Sequence, residues 1–248
     1  MDYPIYYTAG QTSAIGHATE ILKRFGCQFS QEADCSVTRL LLGVPSFAPD
    51  GSLNGGGVLA DILPNFSKRV TVFGGNLDCP QLSEYEKVDL LKDPFYLADN
   101  ANITAHCAMQ LAQEKLPVIL EGCQVLIIGW GRIGKCLARL LRQTGAIVTV
   151  AARKESDRAT LRALGYDIED STALSYSLLR YRVIFNTVPA NVLPAEAAAH
   201  CRPDCLKIDL ASSPGMEGDD VLWARGLPGK MAPESSGELI AKSILRHR

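Results

Sequence analysis

A chain of 248 residues, 47% hydrophobic and 21% charged, has room for one sizeable domain or two smaller ones and the balance of an ordinary globular protein. Its net charge of −2 argues against a general nucleic-acid surface, and no apolar run approaches the roughly 18 residues of a membrane span. The opening MDYPIYYTAG is acidic and aromatic, unlike a secretory leader, so the expectation is a cytoplasmic protein with no nucleic-acid or membrane partner.

Residues 1–101 read as a smaller α/β unit. Ile5 to Gly10 is strand-like and leads into a helix from about Thr12 to Phe25; Arg39 to Phe47 and Arg69 to Gly75 are further strands. Between them Ala48 to Gly57 is a glycine-rich loop, either a ligand loop beyond a strand or a plain solvent loop, followed by a short helix at Leu59 to Asn65. Residues 102–122 read as an interdomain helix and linker, with Asn102 or Thr104 capping a helix from about Ala105 to Glu114.

From residue 123 to 248 the order is regular. A buried strand, Gln124 to Gly129, runs into a helix from Arg132 to Thr144 with Ile133, Leu137, Leu140 and Leu141 on one stripe; Gly145 stops it. Ile147 to Arg153 is a second strand, and Ser156 caps a helix ending near Gly165. A short strand follows at Tyr166 to Ile168, then a helix from Leu174 to Arg180 and a strand from Arg182 to Pro189. A short helix after Leu193 and a strand at Leu206 to Ala211 come next; Ser235 or Ser236 starts a last helix, residues 236–246, which packs back on the first domain. Strands alternating with helices predict an α/β fold of two Rossmann-like domains, the second a doubly wound parallel sheet that binds a dinucleotide.

The junction of the first strand and helix of that second domain reads Gly129-Trp130-Gly131-Arg132-Ile133-Gly134. Such a cluster is weak evidence alone, and a purely structural glycine turn is the alternative. Strand before and helix after is the context that makes it a dinucleotide fingerprint. Gly129 allows the tight turn, Gly131 a close approach of backbone to a pyrophosphate, and Gly134 close packing of helix on strand. An NAD site carries an acid about 20 residues on, where this chain has Ala151-Ala152-Arg153-Lys154. Arg153 can fork onto a 2′-phosphate and Lys154 adds a point charge, so NADP is favoured over NAD. Thr187, Val188 and Pro189 at one strand end, and Leu210 and Ala211 at the next, would line the nicotinamide side. Asp209 is expected to order its loop rather than act as a base. No metal is expected: of the eight cysteines, only Cys201 and Cys205 beside His200 cluster, without a second pair. The cysteines read as reduced and structural.

Assembled, VLIIGWGRIGKCLARLL, VTVAARKESD, VIFNTVP, KIDLASSPG and GLPGKMAPESSGELIA resemble the family of dipicolinate synthase A subunits. The last segment also resembles the closing loop of methylene-tetrahydrofolate dehydrogenases. The resemblance implies NADP-dependent oxidation of dihydrodipicolinate to dipicolinate in spore formation. It also implies a homo-oligomer, and the other component of such a synthase is a further candidate partner. Three departures concern the substrate side. Family members commonly carry Arg where this chain has Ser213, an acid where it has His106, and a longer first domain.

Dihydropyridine oxidation asks for orientation, anion binding and one base. His106 is the one of four histidines expected in the interdomain cleft and is the candidate base. Asn76, Ser212, Ser213, Ser235 and Ser236 are candidates to hydrogen-bond a small carboxylate substrate, and Arg132 to touch the pyrophosphate. The alternatives are a Rossmann reductase for another small carboxylate and a nucleotide-binding protein without catalysis. The late His–carboxylate pair of 2-hydroxy-acid dehydrogenases and the Lys–Asp pair of shikimate-type enzymes are not recognisable.

Overall fold

The computed structural model describes residues 4–174 and 178–247. The chain divides into two compact units, Met1–Asn100 with Pro228–Arg248, and Ala101–Leu227.

In the first unit the elements run β1 (Ile5–Thr8), α1 (Ser13–Arg24), β2 (Gln28–Phe29), β3 (Arg39–Leu41), α2 (Leu59–Ile62), β4 (Thr71–Gly74) and β5 (Glu86–Asp89). The strands form one parallel sheet in the order β2-β1-β3-β4-β5. Leu40, Leu42, Val70, Val72 and Leu77 are fully buried in its core. Thr12 caps α1 by accepting from the Ile15 amide at 3.3 Å, and Ala14, Ile15, Ala18 and Leu22 make its buried stripe. The glycine-rich loop is pinned rather than loose: the Asn54 side chain donates to the carbonyls of Pro45 at 2.9 Å and Phe47 at 3.2 Å, and the Gln11 amide donates to Gly55 at 3.1 Å.

After α3 (Pro94–Lys115), the second unit runs β6 (Gln124–Ile128), α4 (Arg132–Gln143), β7 (Ile147–Ala152), α5 (Glu155–Ala163), β8 (Asp167–Asp170), β9 (Val183–Asn186), α6 (Ala195–Ala198), β10 (Leu206–Asp209) and β11 (Val221–Trp223). Its sheet is parallel throughout, in the order β11-β10-β9-β6-β7-β8. Val125 to Ile128 and Val183 to Phe185 have no exposed surface, as central strands covered on both faces require. Strand order reverses between β6 and β9, and the crevice outside the carboxyl ends at such a point is where open α/β sheets hold ligands. Two last helices follow, α7 (Leu227–Met231) and α8 (Pro233–Arg246). The latter packs on α1 within the first unit: a Cβ at Gly237 would lie 2.6 Å from both the Ala14 carbonyl oxygen and His17 Cβ.

Three helix starts differ from the sequence reading. α3 begins at Pro94, well before Ala105. The Asp93 carboxylate accepts from the amides of Phe95 at 2.8 Å and Tyr96 at 3.4 Å, and a proline in the first helical position lacks only an amide that would have no partner there. Asn102 and Thr104 are therefore interior. α5 begins at Glu155 after Lys154, which places Ser156 inside the first turn, and α8 begins at Pro233 after Ala232, so Ser235 and Ser236 are first-turn residues rather than caps. Of the helix expected from Leu174 to Arg180, residues 175–177 lie outside the described residues, and Leu178–Arg180 is a 3-10 turn.

A candidate dinucleotide site

The end of β6 is built around three glycines that do different things. Gly129 has φ +108°, and its amide donates to the Ala151 carbonyl at 2.9 Å. A Cβ there would fall 2.4 Å from Thr187 Oγ1 and 2.8 Å from Val188 Cγ2. At Gly134 a Cβ would lie 2.2 Å from the Gly129 carbonyl oxygen, so the helix can sit this close to the turn only without a side chain. Gly131 is the opposite case. Its φ of −81° suits any residue, yet an added Cβ meets no heavy atom within 4 Å beyond its chain neighbours. It precedes α4 as its cap residue and supplies no side-chain acceptor, which leaves first-turn amides of a 12-residue helix without that partner.

The turn that leads into α4 borders a cavity of about 610 Å³, lined among others by Gly129, Trp130, Gly131, Arg153, Lys154 and Val188. An uncapped helix N-terminus beside bare backbone suits a diphosphate, because partial positive charge and free donors point at the same place. Trp130 is held edge-on to Tyr166 at 5.8 Å, and Lys135 Nζ lies 5.7 Å from its ring centre. Arg132 is exposed and Ile133 half-buried on the first turn of α4.

At the end of β7, Arg153 and Lys154 are exposed along this cavity. Ser171 and Thr172, in the turn after β8, line it too, as does Asp157 on the first turn of α5. Arg158 connects the two turns. Its Nη1 lies 2.9 Å from the Ala152 carbonyl oxygen, 2.8 Å from that of Arg153 and 2.9 Å from Asp170 Oδ2. Hydrogen bonds from the Thr172 amide and hydroxyl, followed by the Arg158 charge, hold the Asp170 carboxyl below its ordinary range. Sequence reading missed Arg158, Asp170, Ser171 and Thr172.

The exits of β9 and β10 are joined by two buried polar residues. Asn186 Nδ2 donates to Asp209 Oδ1 at 3.0 Å and to the Val188 carbonyl at 2.9 Å, and its Oδ1 accepts from the Val188 amide at 2.8 Å. Asp209 also accepts from the amides of Ala211 at 2.9 Å, Gly215 at 2.7 Å and Met216 at 3.1 Å, a set of bonds that orders the loop. Thr187 is fastened by its amide and hydroxyl to the Ile128 carbonyl, at 2.9 and 3.0 Å. Pro189 is exposed, and Leu210 and Ala211 are buried, with the Ala211 carbonyl accepting from Trp223 Nε1 at 3.0 Å. Ser212 and Ser213 are exposed; Ser213 Oγ is 3.5 Å from the Pro189 carbonyl oxygen.

Among the described residues, the candidates that line this cavity are Gly129, Trp130, Gly131, Arg153, Lys154 and Val188; Arg132, Ile133, Gly134, Thr187, Pro189, Leu210, Ala211, Ser212 and Ser213 are not part of its lining. His106 is exposed on α3. In the first unit, Asn76 has φ +61° and its amide donates to Asp89 at 3.1 Å. Ser235 is exposed, whereas the Ser236 hydroxyl is buried with no hydrogen-bond partner among the described residues. The first unit has a larger cavity, about 710 Å³, but acidic side chains occupy its cations: Lys92 pairs with Asp78 at 2.6 Å and Arg246 with Asp93 at 2.5 Å.

No family model matches the chain. The A subunit of dipicolinate synthase from Bacillus subtilis (strain 168) is 30% identical over 153 residues, 58% of this chain and 52% of that protein. The match thus spans about half the length of this curated relative. The crystal structure of the A subunit of Bacillus halodurans dipicolinate synthase superposes with a TM-score of 0.87 at 21% identity, over 98% of this chain and 97% of that one. An L-alanine dehydrogenase superposes at 0.67 and 16% identity, over 98% of this chain and 80% of that one. At these identities the structural likeness is one of fold, two parallel α/β sheets of the Rossmann type.

Proposed function

We propose that this chain, allied by sequence and by fold with the dipicolinate synthase A subunits, is an NADP-dependent oxidoreductase that oxidises dihydrodipicolinate to dipicolinate in spore formation. The observation that carries the reading is the cavity of the second unit. It combines uncapped α4 amides, open backbone at Gly131 and two cations, Arg153 and Lys154, where an NAD site has an acid. Among the described residues neither cation makes an ion pair.

The α4 amides hold the diphosphate, and Gly131 lets the backbone approach it. Arg153 forks onto the 2′-phosphate with Lys154 beside it. Thr187, Val188 and Pro189, with Leu210 and Ala211, form the wall on the nicotinamide side. The bound nicotinamide supplies the hydride acceptor. The dihydropyridine also loses a proton to solvent water as it becomes aromatic; His106, exposed on α3 and outside the cavity lining, is not given that step. Ser212 and Ser213 offer exposed hydroxyls to a substrate carboxylate.

Incubating the protein with dihydrodipicolinate and NADP should generate NADPH absorbance. An NADPH-induced rise in melting temperature without turnover on that substrate would overturn the catalytic assignment. Ser213, a hydroxyl where the family resemblance implies an Arg, favours a second reading as a reductase of another small carboxylate. Turnover on a panel of imines and hydroxy acids, with none on dihydrodipicolinate, would select it. The coenzyme assignment has its own check. Arg153→Ala should weaken NADPH binding by about 1–3 kcal/mol, the scale of a lost charge-assisted bond, and hardly change NADH. Equal losses in calorimetry would refute the role given to Arg153.

A further inference from the structure

We infer that Arg158 is a positioning residue for coenzyme selectivity, tying the turn that delivers Arg153 and Lys154 to the 2′-phosphate to the neighbouring turn after β8; this rests on the NADP reading above. Arg153 and Lys154 are exposed, so the backbone of the turn between β7 and α5 governs where their charges are delivered. The Arg158 guanidinium takes both carbonyls of that turn, Ala152 at 2.9 Å and Arg153 at 2.8 Å. The same nitrogen reaches Asp170 Oδ2 at 2.9 Å. Asp170 Oδ1 in turn accepts from the Thr172 amide at 2.9 Å and hydroxyl at 2.7 Å. Arg153 and Lys154 on one turn, and Ser171 and Thr172 on the other, all line the cavity, and one ion pair joins the two turns.

Arg158 is not among the residues lining the cavity. Its Nη1 is committed to backbone and to Asp170, so it acts through Arg153 and Lys154. Loss of Arg158 leaves two carbonyls without their donor and the Asp170 carboxylate without its ion-pair partner, and lets the cationic turn rearrange. The diphosphate cradle at Gly129 to Gly134 belongs to a different strand end and is spared.

Calorimetric Kd values for NADPH and NADH on the full chain test this. Wild type should prefer NADPH. Arg158→Ala should lose about tenfold in NADPH affinity, the equivalent of one lost hydrogen bond to a charged group, with NADH within about twofold. Arg158→Lys, whose ammonium has three N–H donors for the same three oxygens, should restore most of the ratio. In an Arg153→Ala, Lys154→Ala background the Arg158→Ala change should alter neither affinity, as a double-mutant cycle demands of a residue acting through those two. An effect on NADPH that persists in that background would mean direct phosphate contact and would overturn the positioning role. So would an unchanged NADPH-to-NADH ratio in Arg158→Ala. A wild type without preference for NADPH would instead refute the NADP reading, and the inference with it. Should Arg158→Ala not fold, Asp170→Asn cuts the same tie from the other side and should also lower the ratio; an unaltered ratio there would count against the clamp.

Discussion

Asp209→Ala should cost about 3–5 kcal/mol of stability, the scale of breaking a buried polar network that leaves several donors unpaired. Asp209 has no exposed surface. Its carboxylate takes the Asn186 side-chain amide and the backbone amides of Ala211, Gly215 and Met216. The loop cannot easily turn those amides to other partners. A Cβ at Gly215 would already lie 2.4 Å from the Ala190 carbonyl oxygen and 2.5 Å from Asn186 Nδ2, so the two strand exits are packed backbone to backbone. Asp209→Asn keeps the shape but turns an N–H donor toward donors on one side. It should lose about 1–3 kcal/mol, the cost of leaving such a group unsatisfied. Urea unfolding of the two variants gives both numbers. A loss below about 1 kcal/mol for Asp209→Ala, the net worth of a single ordinary hydrogen bond, would show that the loop is held by packing alone.

The role of Asp209 was legible from its position: an acid at the carboxyl end of a strand, just before a Ser-Ser-Pro-Gly turn, is placed to collect backbone amides. The glycine fingerprint and the alternation of strands and helices were legible for a similar reason, because spacing along the chain encodes each of them. α3 and α8 start earlier than capping by Asn102, Thr104, Ser235 or Ser236 would place them, because Pro94 and Pro233 take the first helical position. At Pro94 the preceding Asp93 is itself the cap. The strands β2, β5 and β11 were not anticipated. They are two to four residues long and lie at sheet edges, where a neighbour's register, rather than local sequence, makes them strands. Arg158 was hidden for another reason. Its partner Asp170 is twelve positions away at the end of β8, and only the pairing of β7 with β8 brings them together.

The second large effect separates the glycines of the fingerprint from one another. Gly131→Val should leave stability within about 0.5 kcal/mol of wild type, the usual range for an exposed site. Its backbone conformation accepts a side chain, and nearby space is open. Binding should fall for NADPH and NADH alike by about 3 kcal/mol or more, because the new side chain stands where the diphosphate meets the α4 amides and forfeits several charge-assisted bonds. Gly134→Val should do the reverse in order of cause. With a Cβ only 2.2 Å from the Gly129 carbonyl oxygen, the helix must move off the turn, and overpacking of this kind costs about 1–3 kcal/mol or more. Binding then fails because the cradle is distorted, and the melting temperature falls with it. Arg153→Ala completes the comparison, since it should discriminate between coenzymes where Gly131→Val does not. A Gly131→Val protein that binds both coenzymes as wild type does would mean that the turn after β6 is structural, and that the diphosphate, if one binds at all, is held by other backbone.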